Sequence, residues 1–235
     1  MSSFRLAAAA VGVLFLISYA GFTTGMALVF PSLEPSRDLA TIAADEGRLI
    51  AGTLLLFVNM AAIIGIAALL FPVMRPHGEG VALWYVGFRI LEATAFLVGS
   101  VGVLSLISVS EASAAAAASS APVHEGLRSF AIAVNWWSGK LATVAFVLGA
   151  TGLYSLLYRS RLVPRFIGAW GLIAVAMLIV ANALAVDVTA GFQPLALLYA
   201  PIALNELFLA GWLIVRGFNA PASRPAAMAV APQPA

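Results

Sequence analysis

The sequence predicts an all-α, polytopic membrane protein built as a six-transmembrane-helix bundle. Three observations carry that prediction. Of the 235 residues, 63% are hydrophobic and only 9% are charged. Six apolar runs are each long enough to cross a bilayer, and none shows the strict alternation of a barrel strand. A soluble domain carries about a quarter charged residues, whereas mean hydropathy here is +1.03, so lipid must be the solvent for most of the chain. Unpaired backbone groups are intolerable in lipid, which leaves the helix as the form such runs take.

A hydrocarbon layer of about 30 Å, crossed at about 1.5 Å per residue, needs about 20 apolar residues. That criterion predicts spans at 6–30, 49–72, 81–108, 130–157, 166–187 and 195–216. Pro31, Pro72, Pro122, Pro164 and Pro221 lie at or beyond their ends, where a helix stops most cheaply. The first span starts as "MSSFRLAAAAVGVLFLISYAG", with a basic start and Ser18-x-Ala20 as a possible cleavage site. Its apolar run continues to Phe30, longer than a typical signal peptide, so it is expected to be retained. Gly21 and Gly25 in "GFTTG" are expected close-packing points. The second span opens at Asp45, Glu46 and Arg48, and the third carries Arg89 and Glu92. The fourth contains Asn135 and Lys140, the fifth Asn182, and the sixth Pro201, Asn205 and Glu206. "EASAAAAASSAP" (111–122) reads as a linker or a short surface helix. Residues 1–218 thus form one transmembrane domain, and 219–235 read as a disordered cytoplasmic tail without apolar periodicity.

Orientation follows from the basic residues flanking the spans. With the N-terminus inside, the cytoplasmic segments hold Arg5, Arg75, Arg159, Arg161, Arg165, Arg216 and Arg224. The other face holds Arg37, Arg48 and Arg128 among Glu34, Asp38, Asp45, Glu46, Glu111, Glu125 and Asp187. Both termini are therefore expected in the cytoplasm of a bacterial cell, with the chain in its inner membrane. Arg159, Arg161 and Arg165 could rest on anionic headgroups. Trp84, Tyr85, Tyr154, Tyr158, Trp170 and Trp212 are expected in an interfacial aromatic belt. The net charge of +2 is too small to suggest a nucleic-acid partner. Absence of cysteine excludes disulfides, thiolate metal sites and a cysteine nucleophile.

Several local patterns carry a family resemblance. "DEGRLIAG" (45–52) opens the second span and "YVGFRILEA" (85–93) lies in the third. "LYRSRLVPRFIGAWGLI" (157–173) joins the fourth to the fifth, and "PIALNELFLAGWLIVRGFN" (201–219) forms the sixth. In this order they resemble the bacterial six-span family known as domain of unknown function 4386. The resemblance implies a six-helix bacterial membrane protein and supplies no activity. Relatives often carry a histidine in the fourth span; here "VNWWSGK" (134–140) has none, so no metal or haem role is implied.

The polar residues inside the spans are the candidate site. Asn59, Glu92, Asn205 and Glu206 fall near the bilayer midplane, with Arg89 to the inner side and Lys140 to the outer. A lone charge there costs about 2.5–3.5 kcal/mol on insertion scales, so Arg89, Glu92, Lys140 and Glu206 are expected to face inward and neutralise one another. Arg89 and Glu92 lie one turn apart with the acid C-terminal, the poorer order for a local pair. An inter-helix arrangement is therefore expected, with Arg89 on Glu206, and Glu92 on Lys140 or an asparagine. Asn59, Asn135, Asn182 and Asn205 would support the cluster. Pro201 frees the carbonyl of Leu197 one turn from Glu206, and a broken helix beside a midplane acid suits a transporter site. Asp45, Glu46 and Arg48 form either an outer vestibule or a capped helix start.

Three functions remain open at this stage. The cluster could serve proton or small-solute transport; the charges could only fix helix packing in a structural or partner-binding protein; or Glu92 or Glu206 could serve a lipid-modifying enzyme. No cofactor is implied. His77 and His124, the only histidines, fall on opposite faces and cannot share a metal. Motifs of metalloproteases, nucleophile elbows and phosphate loops do not occur.

Overall fold

Residues 3–34, 36–184 and 196–219 are described by a computed structural model, and among them all regular structure is helical. Six helices are long and apolar enough to cross a membrane: α1 (Ser3–Val29), α3 (Glu46–Met74), α4 (Glu79–Ala115), α5 (Ala121–Ser160), α6 (Arg165–Leu184) and α7 (Ala196–Val215). A short α2 (Leu39–Ala44) lies between the first two. Asp38 caps it, its carboxylate accepting the Thr41 N–H at 2.8 Å. The span predicted at 166–187 and the tail predicted from 219 run partly into residues outside those described. Asn219 itself is anchored: its N–H donates to the Leu162 carbonyl at 2.8 Å and its side chain to the Arg161 carbonyl at 2.7 Å.

α4 and α5 exceed their predicted spans. At about 1.5 Å per residue their 37 and 40 residues rise about 55 and 60 Å. The extra turns of α4 run into "EASAAAAASSAP", read as a linker or surface helix, and those of α5 begin at its end and continue through residues 123–129. Alanine has the highest helix propensity, so the first part of this segment continues α4 to Ala115.

The spanning helices close into a ring. α1 packs against α3, α3 against α4, α4 against α5, α5 against α6, α6 against α7, and α7 returns to α1. Small residues set the closest approaches. A Cβ on Gly12 of α1 would lie 2.6 Å from the Ala210 carbonyl oxygen of α7, and one on Gly21 would lie 2.9 Å from that of Leu55 on α3. In lipid, where no hydrophobic force drives helices together, such backbone proximity is the main source of packing energy.

The interior divides into two apolar clusters. One draws on all six spanning helices, with Phe15, Ile66, Tyr85, Leu153, Tyr154, Ile167 and Leu209 among its members. The other holds Val29, Ile42, Leu49, Leu56, Ile63, Ala93, Leu106 and Ala131, from α1 to α5. Arg89 and Glu92 of α4 fall between Tyr85 of the first cluster and Ala93 of the second. The polar residues therefore occupy the seam between two apolar cores.

One expectation is corrected here. Tyr85 and Tyr154 are not interfacial: they are 1% and 0% exposed and belong to the first core. Trp84 and Tyr158, by contrast, are exposed. Which face of each helix turns inward is decided by its neighbours.

Candidate intramembrane charge site

Arg89 and Glu92 make the central ion pair. Nη1 of Arg89 donates to Oε2 of Glu92 at 2.8 Å, and both side chains are nearly inaccessible. The expected inter-helix pairing is thus replaced by a local one. Three residues of helix bring the two side chains onto one face. Within a dry interior, closeness outweighs the small preference for the opposite order that exposed helices show. The guanidinium also lies over the rings of Tyr85 and Phe146, at 5.7 and 5.4 Å from their centres, a favourable setting for a desolvated cation.

Glu206 stands on α7, and α4 and α7 are three steps apart around a six-membered ring in either direction. As a residue Glu206 is half-buried, whereas Glu92 is buried. It feels the charges of Arg89 and Glu92 but forms no ion pair with either. No hydrogen bond joins it to another described residue. The expected break in the sixth span is absent, since α7 runs continuously through Pro201.

Lys140 does not join this group. Its Nζ donates to Oδ1 of Asn182 at 3.3 Å and lies 5.3 Å from the centre of the Trp136 ring. It makes no ion pair with Glu92 or Glu206. The reason is depth. Lys140 is 20 residues from the end of α5 at Ser160, and Glu92 is 13 from the start of α4 at Glu79, a difference of about 10 Å along the ring axis. The expectation of two cations against two acids therefore fails, and the central group holds one arginine and two carboxylates.

The supporting asparagines act as ties between helices. Asn59 accepts from the Ser18 hydroxyl at 2.6 Å, joining α3 to α1. Asn135 donates to the Gly99 carbonyl at 3.2 Å, joining α5 to α4. Asn205, fully buried, donates to the Ile167 carbonyl at 3.1 Å, joining α7 to α6. At the other candidate location Arg48 pairs with Asp45 and donates to the Ser32 hydroxyl at 3.0 Å, while Glu46 is exposed. That group fixes the corner between α1 and α3. Arg159, Arg161 and Arg165 are all exposed, and Arg165 lies 5.5 Å from the centre of the Tyr158 ring.

Two residues beside the charges, Tyr85 and Tyr154, were not among the expected site residues. The hydroxyls of Tyr85 and Tyr154 are buried and hydrogen-bond no described group. Among charged neighbours, Tyr85 is influenced most by Arg89 and Tyr154 most by Glu206. The Arg89 guanidinium lies beside the Tyr85 hydroxyl without a hydrogen bond of good geometry, and its own Nε also lacks a partner. Gly171 of α6 makes room for Tyr154, because a Cβ there would overlap the phenol ring. A signal existed for Tyr85, which precedes Arg89 by one turn. None existed for Tyr154.

Residues 10–217 match the family described as domain of unknown function (DUF4386). The chain belongs to this family. The match spans every membrane-crossing helix and agrees with the resemblance read from its local patterns. No curated protein and no solved structure matched the chain. As a DUF4386 protein it is an all-helical chain with six helices suited to a bilayer, and its chemistry has to be argued from its own residues.

Proposed function

We propose that this DUF4386 protein is a multi-pass protein of a bacterial inner membrane in which Glu206 takes up and releases a proton while moving protons or a small solute across the bilayer. One observation carries the reading: a carboxylate on a helix suited to a bilayer stands within electrostatic reach of an arginine already committed to another acid. Two carboxylates and one guanidinium leave a single negative charge, and an uncompensated charge in this medium costs several kcal/mol. A proton on Glu206 removes it. Ionisable groups inside a membrane are by default functional, and acids that alternate between neutral and charged forms are common in pumps and transporters.

The basic residues support the orientation. Arg5, Arg75, Arg159, Arg161, Arg165 and Arg216 flank the start of α1, the α3–α4 and α5–α6 connections and the end of α7. With six crossings these positions share one face, which the positive-inside rule assigns to the cytoplasm. The bilayer itself is the one partner this reading requires.

The deciding experiment compares wild type with Glu206→Gln in proteoliposomes carrying a pH-sensitive dye. Glutamine keeps the shape and removes the titration. The expected result is loss of proton movement by about a hundredfold, the scale on which removing a positioned proton carrier acts, with the yield of folded protein unchanged. A packing role for the charges would instead lower that yield. An enzyme acting on lipid would show turnover without any gradient, and a Glu206→Gln variant that moves protons as wild type does would end the proposal.

A further inference from the structure

We infer that Tyr85 and Tyr154 form the hydrogen-bonding route by which a proton reaches Glu206 from the arginine-rich face. The inference rests on the reading of Glu206 as a proton site and adds both the ion's identity and its path. Depth supplies the first argument. Tyr85 lies six residues from the start of α4 and Tyr154 six from the end of α5, each about 9 Å along its helix from the same face. Glu206 is nine residues from the end of α7, about 14 Å in, and Glu92 is about 20 Å in. The two phenols therefore stand between that face and the acids.

Chemistry supplies the second argument. The large majority of buried side-chain polar atoms are hydrogen-bonded, yet both hydroxyls here are buried and hydrogen-bond no described group, that of Tyr85 with the Arg89 guanidinium beside it. A structural tyrosine of this burial normally donates to a carbonyl. Two hydroxyls uncommitted to any described group keep both their donor and their acceptor capacity available beside the charge group. A hydroxyl both donates and accepts. A hydronium ion at the arginine-rich face gives a proton to the Tyr85 oxygen and becomes water, Tyr85 passes its own proton toward Tyr154, and Tyr154 passes its own toward Glu206, with water bridging the gaps. Each tyrosine ends unchanged, and the Glu206 carboxylate ends as a neutral acid.

The charged surroundings fit a proton better than a metal cation. Glu206 lies within electrostatic reach of Arg89, Glu92 and Tyr85 of α4 and Tyr154 of α5. Neither α1 nor α6 pairs a charge with it: Arg5 on α1 is turned to the end of α7, and Arg165 in the first turn of α6 is exposed and lies over the Tyr158 ring. A hard divalent cation such as calcium or magnesium takes six or more oxygen ligands, whereas here the Glu92 carboxylate is held by Arg89.

The test uses the full chain in lipid nanodiscs, a rapid pH drop, and infrared detection of the carboxylic-acid C=O band that Glu206→Gln removes. The expected result for the Tyr85→Phe, Tyr154→Phe double variant is the same final band, formed at least about tenfold more slowly, with a smaller solvent deuterium effect. Each phenylalanine keeps the ring and deletes an unpartnered hydroxyl, so thermal unfolding in detergent should be unchanged; the single variants serve as the readout should the double variant not fold. A Glu206 band formed at the wild-type rate in all three variants overturns this inference and leaves the proton site standing. Absence of any Glu206 band at any pH overturns the proton site and the route together.

Discussion

Arg89 on α4 and Glu206 on α7 lie within electrostatic reach of each other from helices three steps apart around the ring, and the arginine is bonded to Glu92 instead. The bundle thereby holds its cation against one acid and leaves the other acid within its reach.

The Arg89–Glu92 pair should behave as a buried unit. Arg89→Leu leaves Glu92 without its cation and is expected to destabilise the bundle by about 3–5 kcal/mol. The double variant Arg89→Met, Glu92→Leu should recover most of that loss, since apolar residues of similar volume replace a buried pair at little cost. Equilibrium unfolding in mixed micelles measures all three proteins. A single variant as stable as the double one would mean the pair is not desolvated.

Gly171 holds open the space that the Tyr154 ring fills. Gly171→Ala is expected to cost about 1–3 kcal/mol, the range for overpacking a close-fitted site. Combined with Tyr154→Leu, the alanine should cost far less. The coupling energy of that double-mutant cycle is the measurement, and additivity of the two changes would refute the contact.

Arg5 closes the ring at the end of α7. Its guanidinium donates to the carbonyls of Leu213 at 3.3 Å and of Ile214 and Val215 at 2.8 Å, groups that the last helical turn leaves without partners. Arg5→Ala should lose about 1–2 kcal/mol through those charge-assisted bonds and the helix dipole. Hydrogen exchange should rise first in residues 211–216, and Arg5→Lys should rescue only in part, because lysine lacks the forked donors.

Asp38 gives a pH dependence outside the membrane. Its hydrogen bonds from Thr41 hold the carboxyl below the usual carboxylate range. A depressed folded value means that the cap's contribution is fully present above the ordinary carboxylate range. It is lost as pH falls through the folded value. Exchange protection at the start of α2, corrected for intrinsic rates, should therefore decrease on acidification. Asp38→Asn should keep the cap and abolish the pH dependence; protection in that variant that still falls with acid would assign the effect elsewhere.

The sequence by itself determined the six spanning helices, because the lipid requirement acts on each run separately and hydropathy reports it residue by residue. It also marked Arg89, Glu92 and Glu206, since charge inside an apolar run is visible without any partner. Which charges meet was decided only by tertiary structure. Arg89 turned to its own helix rather than to α7, and Lys140 sits about 10 Å too deep to reach Glu92. Tyr85 and Tyr154 passed for interfacial aromatics because distance from a helix end is a one-dimensional quantity, the same for a ring facing lipid and a ring facing the core. Their burial depends on the rotation of each helix about its axis. That rotation is set by contacts such as Gly171 against Tyr154, between residues far apart in the chain.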